Sequence, residues 1–185
     1  MRYSLMPIHT PSSKGELRQS KVSKKMFSNL ARSPIYIVLD DLKSAFNVGS
    51  IFRLADALLV SKLYLCGRTL SPPNHKIKTT SRGTERWVPW EHRSSTIDTI
   101  KELKKAGVYI LCAELSADSI DYKKITPSFP ACLVLGREYD GISSEVLDLA
   151  DCIVSLPIFG MTNSLNVATT ASVLLYELHQ VINKQ

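Results

Sequence analysis

Five short, mostly apolar runs at residues 35–39, 62–66, 108–115, 131–135 and 152–156 constrain this chain more than any other feature. Ile35-Tyr36-Ile37-Val38-Leu39 sets the type: apolar and rich in β-branched residues, without polar alternation. That is the pattern of a strand buried on both faces, as in a parallel sheet. Between the runs lie stretches with helical spacing. Residues 47–59 put Val48, Ile51, Ala55 and Leu58 on one stripe, and residues 96–105 end near Gly107, a good C′ stop. Ser143 or Ser144 opens a short helix to 150, and residues 165–182 carry Val167, Ala171, Leu174, Leu175 and Leu178. Strands alternating with helices predict an α/β fold with an open, mainly parallel sheet flanked by helices. Ligands of such sheets sit beyond the C-terminal ends of strands. Three ends carry unusual chemistry here, those after Leu39, Leu135 and Leu156.

The 185 residues suit one compact domain, preceded by an extension whose charge sets it apart. Of 23 basic and 17 acidic side chains, seven and one fall within residues 1–33, leaving sixteen of each sign in the other 152. The whole net charge of +6 therefore resides in the extension, which also holds Pro7 and Pro11. We expect a basic N-terminal extension over 1–33, with one short helix near 20–30, and a folded domain over 34–185. Clustered positive charge attracts polyanions and releases their counterions, so Lys21, Lys24 and Lys25 are candidate RNA contacts. A merely solvated tail and a transit peptide are the other readings of this segment. Residues 67–95 form a second basic stretch, in which Arg82 and Arg86 stand among Trp87, Trp90, His75 and His92. Cations interleaved with aromatics suit RNA, although both indoles also read as core residues.

Several function classes fall away. No apolar run nears the roughly 20 residues of a membrane span, and the N-terminus has no apolar secretory core. The four cysteines (Cys66, Cys112, Cys132 and Cys152) all lie in strand-like runs, with no C-x-x-C pair and no histidine at metal-ligand spacing. Buried, reduced thiols in the cytoplasm and no metal site are the expectation. The G-x-G-x-x-G fingerprint is absent. Gly136 and Gly141 have P-loop spacing but lack the Lys-Ser/Thr that a P-loop needs. No Ser or Cys has the context of a triad nucleophile.

Residues 159–171, Phe-Gly-Met-Thr-Asn-Ser-Leu-Asn-Val-Ala-Thr-Thr-Ala, follow the last apolar run as a polar loop entering a helix. Taken alone, the loop supplies an N-cap in Asn163 or Ser164. Exposed backbone N–H groups at a helix start also favour ligand acceptors and anions, and both readings stand at this point.

Three blocks taken together say more. They are Asn47-Val48-Gly49-Ser50-Ile51-Phe52-Arg53-Leu54-Ala55, then Leu133-Val134-Leu135-Gly136-Arg137-Glu138-Tyr139-Asp140-Gly141, then Leu156-Pro157-Ile158-Phe159-Gly160-Met161-Thr162-Asn163-Ser164-Leu165-Asn166-Val167. In order and spacing they resemble the motifs of the TrmH (SpoU) family of RNA ribose 2′-O-methyltransferases, of the SPOUT class, over about residues 35–182. The resemblance implies a SPOUT-type domain with a C-terminal trefoil knot, a rare exception to unthreaded connections. It also implies a homodimer, S-adenosylmethionine as cofactor, and tRNA or rRNA as substrate. By the family pattern Leu135, Gly136, Leu156, Ile158, Ser164 and Leu165 contact the cofactor, Gly136 and Gly160 leaving room for it. Asn47, Arg53, Glu138, Ser164 and Asn166 carry the catalytic roles, with Glu138 fixing Asn47, Arg53 or the loops between them. Arg53 is the family's candidate base, yet a guanidinium with a pKa above about 12 is as naturally a phosphate ligand and alkoxide stabiliser. The second block departs from the usual pattern with Arg137 and the bulky Tyr139-Asp140 pair. A non-catalytic RNA-binding protein of this fold, and a SPOUT enzyme acting on a base nitrogen, are the alternatives.

Overall fold

The computed structural model describes Phe27 and residues 29–183, and the folded unit begins at Arg32. Lys21, Lys24 and Lys25, and most of the short helix expected near 20–30, lie outside the described residues. In chain order the elements are β1 (Ser33–Asp40), α1 (Ala45–Ala57), β2 (Val60–Cys66), α2 (His75–Ser81), β3 (Trp90–Arg93), α3 (Thr96–Lys105), β4 (Tyr109–Ala113), β5 (Ile120–Asp121), β6 (Ala131–Leu135), α4 (Ser144–Leu147), β7 (Cys152–Ser155) and α5 (Val167–Ile182). Single 3-10 turns stand at Thr84–Arg86 and Tyr122–Lys124. The strands form one sheet in the order β3-β2-β1-β6-β4-β7-β5, and every neighbouring pair is parallel.

Strand periodicity divides the core in two. Successive side chains point to opposite faces, so Ile35, Ile37 and Leu39 of β1 face one side while Val38 faces the other. On the first face they meet Val48, Ile51, Phe52 and Ala55 of α1 and Ala171, Leu174, Leu175 and Leu178 of α5. On the second, Val38 joins Cys66, Cys112, Cys132 and Val134 beneath Ile100 and Leu103 of α3 and Val146 of α4. Each large side chain so buried contributes about 1.5–3 kcal/mol. The result is a sheet with helices on both faces, as the unalternating apolar runs require.

Two strands were not expected. β3 reads Trp-Glu-His-Arg because it is an edge strand, paired to β2 along its backbone and flanked by ion pairs: Lys62 pairs with Glu91 at 2.5 Å, and Arg93 with Glu91 at 2.7 Å and with Glu102 at 3.2 Å. β5 is only two residues long, too short for any periodicity. The 67–95 stretch is accordingly α2, a 3-10 turn and β3, whereas the sequence reads as a continuous polar segment. Its two indoles part company. Trp90 is half-buried, edge-on to Phe52 with ring centroids 6.2 Å apart. Trp87 is exposed and donates its ring N–H to Asp56 at 2.7 Å, so the expectation of core packing fails for it. All four cysteines are free; Cys66, Cys112 and Cys132 are buried and Cys152 is half-buried. Burial raises the Cys66 thiol to about 11 and the Cys112 thiol to about 12, leaving both protonated and inert. Among the described residues no helix is long and apolar enough to cross a membrane, and no cluster of ligating side chains suits a metal.

Candidate active site

From β1 the chain runs outward to β2 and β3, then crosses to build β4, β6 and β7 on the other side. The order reverses between β1 and β6, and a ligand crevice belongs outside the strand ends near such a switch point. A cleft of about 360 Å³ opens on the β6 side of that point, at the C-terminal ends of β4, β6 and β7 and the N-terminus of α5.

One wall is the loop after β6. Arg137 and Gly141 exchange backbone hydrogen bonds at 3.1 and 3.2 Å, closing residues 136–141 into a tight turn. A Cβ at Gly136 would lie 2.5 Å from the Gly141 carbonyl, so the glycine is required by the loop's own closure. That revises the expected reason, which was approach to a ligand. Gly160 has nothing within 4 Å of its hypothetical Cβ, so packing among the described residues places no demand on it. Gly141 takes a left-handed φ of 65°, and a Cβ there would strike the Glu114 carboxylate. Glu114 itself accepts from the backbone N–H groups of Ile142 at 2.8 Å and Leu115 at 3.0 Å. The turn is thus held from three directions and presents Glu138 and Tyr139 at its tip.

The other wall is the entry to α5. The helix begins at Val167 with Asn166 as its N-cap, accepting from Ala168 N–H at 2.9 Å and Thr169 N–H at 3.4 Å. The cap is neither Asn163 nor Ser164, which remain in the preceding loop. Likewise α1 begins two residues before the expected start, with Ser44 as its cap.

The three motifs meet through one amide. Asn47, buried in the first turn of α1, donates from Nδ2 to Glu138 Oε1 at 3.2 Å. Its Oδ1 accepts from Asn166 Nδ2 at 3.1 Å. Glu138 also accepts from Ser44 N–H at 3.2 Å. The chain Glu138–Asn47–Asn166 therefore ties the β6 loop, the α1 N-terminus and the α5 N-cap together, over sequence separations of 91 and 119 residues. Asn47 and Asn166 spend both polar atoms of their amides on neighbours and Glu138 one of its two oxygens, which fixes rotamers without a charge pair.

All six residues expected around the cofactor, Leu135, Gly136, Leu156, Ile158, Ser164 and Leu165, line the cleft, as do Glu138 and Asn166. Asn47 stands behind them as the anchor. Arg53 is elsewhere: it is exposed on α1, does not line the cleft, and has no ion pair or hydrogen bond among the described residues. Six helical residues rotate about 240° and rise about 9 Å, so Arg53 and Asn47 do not share a face of α1. Arg82 and Arg86 are exposed near the end of α2 and away from the cleft lining, Arg82 as the left-handed C-cap of that helix. Glu114 was missed. It follows β4 directly, and the rule that found the other strand ends fails here because residues 108–115 read as one strand, two residues too long. Ser44 was also missed, because its contact with Glu138 is through the backbone and independent of residue type.

Residues 34–176 match the SpoU rRNA Methylase family. The chain is 31% identical over 144 residues to the tRNA (guanosine(18)-2′-O)-methyltransferase of Escherichia coli strain K12, covering 76% of this chain and 61% of the relative. It thus spans less than two thirds of that relative's length. The fold matches the A. aeolicus TrmH/SpoU tRNA modifying enzyme with a TM-score of 0.77, at 26% identity, over 87% of this chain and 84% of that one. It also matches an AdoMet-bound rRNA methyltransferase from Sinorhizobium meliloti with a TM-score of 0.76, at 29% identity, over 83% and 59% of the two chains. With an all-parallel sheet, three joined motifs and a family match over most of its length, the chain belongs to the SpoU rRNA methylase family.

Proposed function

We propose that this protein is an S-adenosylmethionine-dependent RNA methyltransferase that transfers a methyl group to a ribose 2′-hydroxyl of tRNA or rRNA. The observation that carries the reading is the Glu138–Asn47–Asn166 chain at the mouth of a cleft whose lining includes every residue that the family pattern assigns to the cofactor. At about 360 Å³ the cleft is within the range of small-molecule sites. Leu135, Val154 and Leu156 offer an apolar surface for a ring, and Glu114 offers a carboxylate to a cationic ligand. The residues present therefore fit the cofactor.

S-adenosylmethionine, when bound, supplies a methyl group activated by a sulfonium, whose leaving group departs as a neutral thioether. The protein's part is alignment, exclusion of water and management of one proton. The asparagine–glutamate chain holds the cleft walls at fixed separation, so that the Ser164 hydroxyl and the second amide hydrogen of Asn166 Nδ2 are offered at constant positions. Arg53, exposed and unpaired among the described residues, is suited to bind a substrate phosphate and stabilise the developing alkoxide. Lys21, Lys24, Lys25, Arg82 and Arg86 supply further cations along the RNA path. We also assign this chain the family's C-terminal trefoil knot and a homodimer. Tyr139, Phe159 and Met161 support the dimer, since all three expose nearly their whole side chains at or near the cleft rim. Four unpaired thiols fit a cytoplasmic location.

Incubation with labelled S-adenosylmethionine and bulk tRNA or rRNA, followed by digestion to nucleosides, tests the assignment. Label in a 2′-O-methylnucleoside is the expected result. Label only on a base, or none with an authentic substrate present, overturns it.

A further inference from the structure

A second cleft, open and about 670 Å³ in volume, lies at the α1 N-terminus, with a different lining from the first. Lys43, Phe46, Leu70, His75 and Lys76 line it, and among the described residues none of its lining is acidic. Phe46 leaves 55% of its surface exposed although it is the second residue of a helix that buries seven others. Its ring is available as a face, and Leu70, 37% exposed, adds apolar surface beside it. An aromatic face among cations in a concave site is what unpaired bases and their phosphates require.

The cleft is pre-organised. Thr69 Oγ1 accepts from Leu42 N–H at 2.9 Å and donates to the Leu39 carbonyl at 3.0 Å, while Leu70 N–H donates to the Leu42 carbonyl at 3.2 Å. The loops after β1 and β2 are therefore pinned together. Across the cleft, Asn74 caps α2 through Lys76 and Ile77, and α2 approaches α1 so closely that Gly49 has no room for a Cβ. The two clefts also share a wall. Ser44 lines this one and donates its N–H to Glu138, which lines the first. Asn47, bonded to the same carboxylate, directly follows Phe46 in the chain.

We propose that the second cleft binds an unpaired base of the RNA, stacked on Phe46, with Lys43 and Lys76 holding the flanking phosphates. A base seated there lies next to the Ser44–Glu138 wall, beyond which the methyl donor would bind. The inference rests on the proposed RNA methyltransferase reading and adds to it the place where the target strand is held.

The probe is a single-stranded oligoribonucleotide containing 2-aminopurine, titrated into the full chain without cofactor. Stacking on Phe46 quenches the fluorophore. Phe46→Ala is expected to remove the quench and weaken binding about tenfold, within the range for one base–aromatic stack, and Phe46→Tyr to restore both. Lys43→Ala with Lys76→Ala is expected to weaken binding and reduce its salt dependence. Retained affinity for S-adenosylmethionine in calorimetry shows that the variants fold. Equal affinity and quench in wild type and Phe46→Ala overturns the site, as does a cleft that takes a peptide and leaves the oligonucleotide free. Transfer to ribose by the wild-type protein is measured separately: if it occurs while residue 46 is without effect, only the stacking site fails. If Phe46 governs binding but no ribose is methylated, the site stands and the transferase reading falls.

Discussion

Replacing Asn47 by Asp changes one NH₂ group into an oxygen and leaves shape almost unaltered. The bond that Asn47 Oδ1 accepts from Asn166 survives the change, and the bond that Nδ2 donates to Glu138 does not. An amide-to-carboxylate hydrogen bond is worth about 1.5–3 kcal/mol. In its place two carboxylates meet at a site where the donor and acceptor now stand 3.2 Å apart. Like charges at about 4 Å and an effective dielectric near 20 repel by about 4 kcal/mol. Because Glu138 is solvent-exposed, ionic screening reduces this to roughly 1–2 kcal/mol. Residue 47 is in the first turn of α1, where a negative charge recovers only about 0.3–1 kcal/mol from the helix dipole. The losses win, and we expect Asn47→Asp to be less stable by about 3 kcal/mol at pH 7.5, roughly 6–12 °C in Tm for a chain of this size. The deficit should depend on pH with a defined sign. Repulsion raises the pair's pKa in the folded state above the unfolded value of about 4. The folded state then binds the extra proton, so relative stability is greatest at low pH and is lost as pH rises through the folded pKa. Thermal unfolding of wild type and variant at pH 5 and pH 7.5 reads this directly. A Tm difference of the same size at both values would refute the reasoning, and a variant as stable as wild type would dissolve the hub altogether.

Gly49→Ala sets helix propensity, a gain of about 1 kcal/mol, against a Cβ placed 1.9 Å from Thr80 Oγ1 and 2.8 Å from the Ile77 carbonyl. The carbonyl is backbone and cannot rotate away, so we expect a net loss of about 1–2 kcal/mol in denaturant unfolding, only partly rescued by adding Thr80→Ala. Asp41 accepts from Arg68 N–H at 2.7 Å and pairs with its guanidinium at 3.0 Å, contacts that hold its carboxyl below the usual range. That stability is fully present above the unfolded pKa of about 3.9 and is lost as pH falls through the folded one. Asp41→Asn should therefore trail wild type by about 1 kcal/mol at neutral pH and draw level in acid, as followed by unfolding against pH. Arg53→Ala should cut methyl transfer by about a hundredfold or more with S-adenosylmethionine affinity unchanged in calorimetry. A matching loss of affinity would place Arg53 on the cofactor instead of the RNA.

The layered α/β arrangement and five of the seven strands were legible in the chain. Short apolar runs without alternation and rich in β-branched residues read as strands covered on both faces, and Ile35 to Leu39 form such a strand, with side chains buried in the core on either side of the sheet. The three motifs named the family and the six residues that its pattern assigns to the cofactor, all of which line the cleft, because residues at strand ends travel with their strands. What failed to show in the sequence has one physical cause: interactions that depend on distance in space. β3 is an edge strand flanked by ion pairs from β2 and α3, and no local pattern records such partners. Glu114 lines the cleft only because β4 stops at Ala113. Gly136 looked like room for a ligand and is room for Gly141. Asn47, Glu138 and Asn166 were legible as three candidates, but that they are a single hydrogen-bonded chain was decided by a sheet order that sets β6 beside β1 and by the return of α5 onto α1. Arg53 marks the reverse case. It shares the first motif with Asn47 six positions away, and the pitch of the helix turns it from that residue toward solvent.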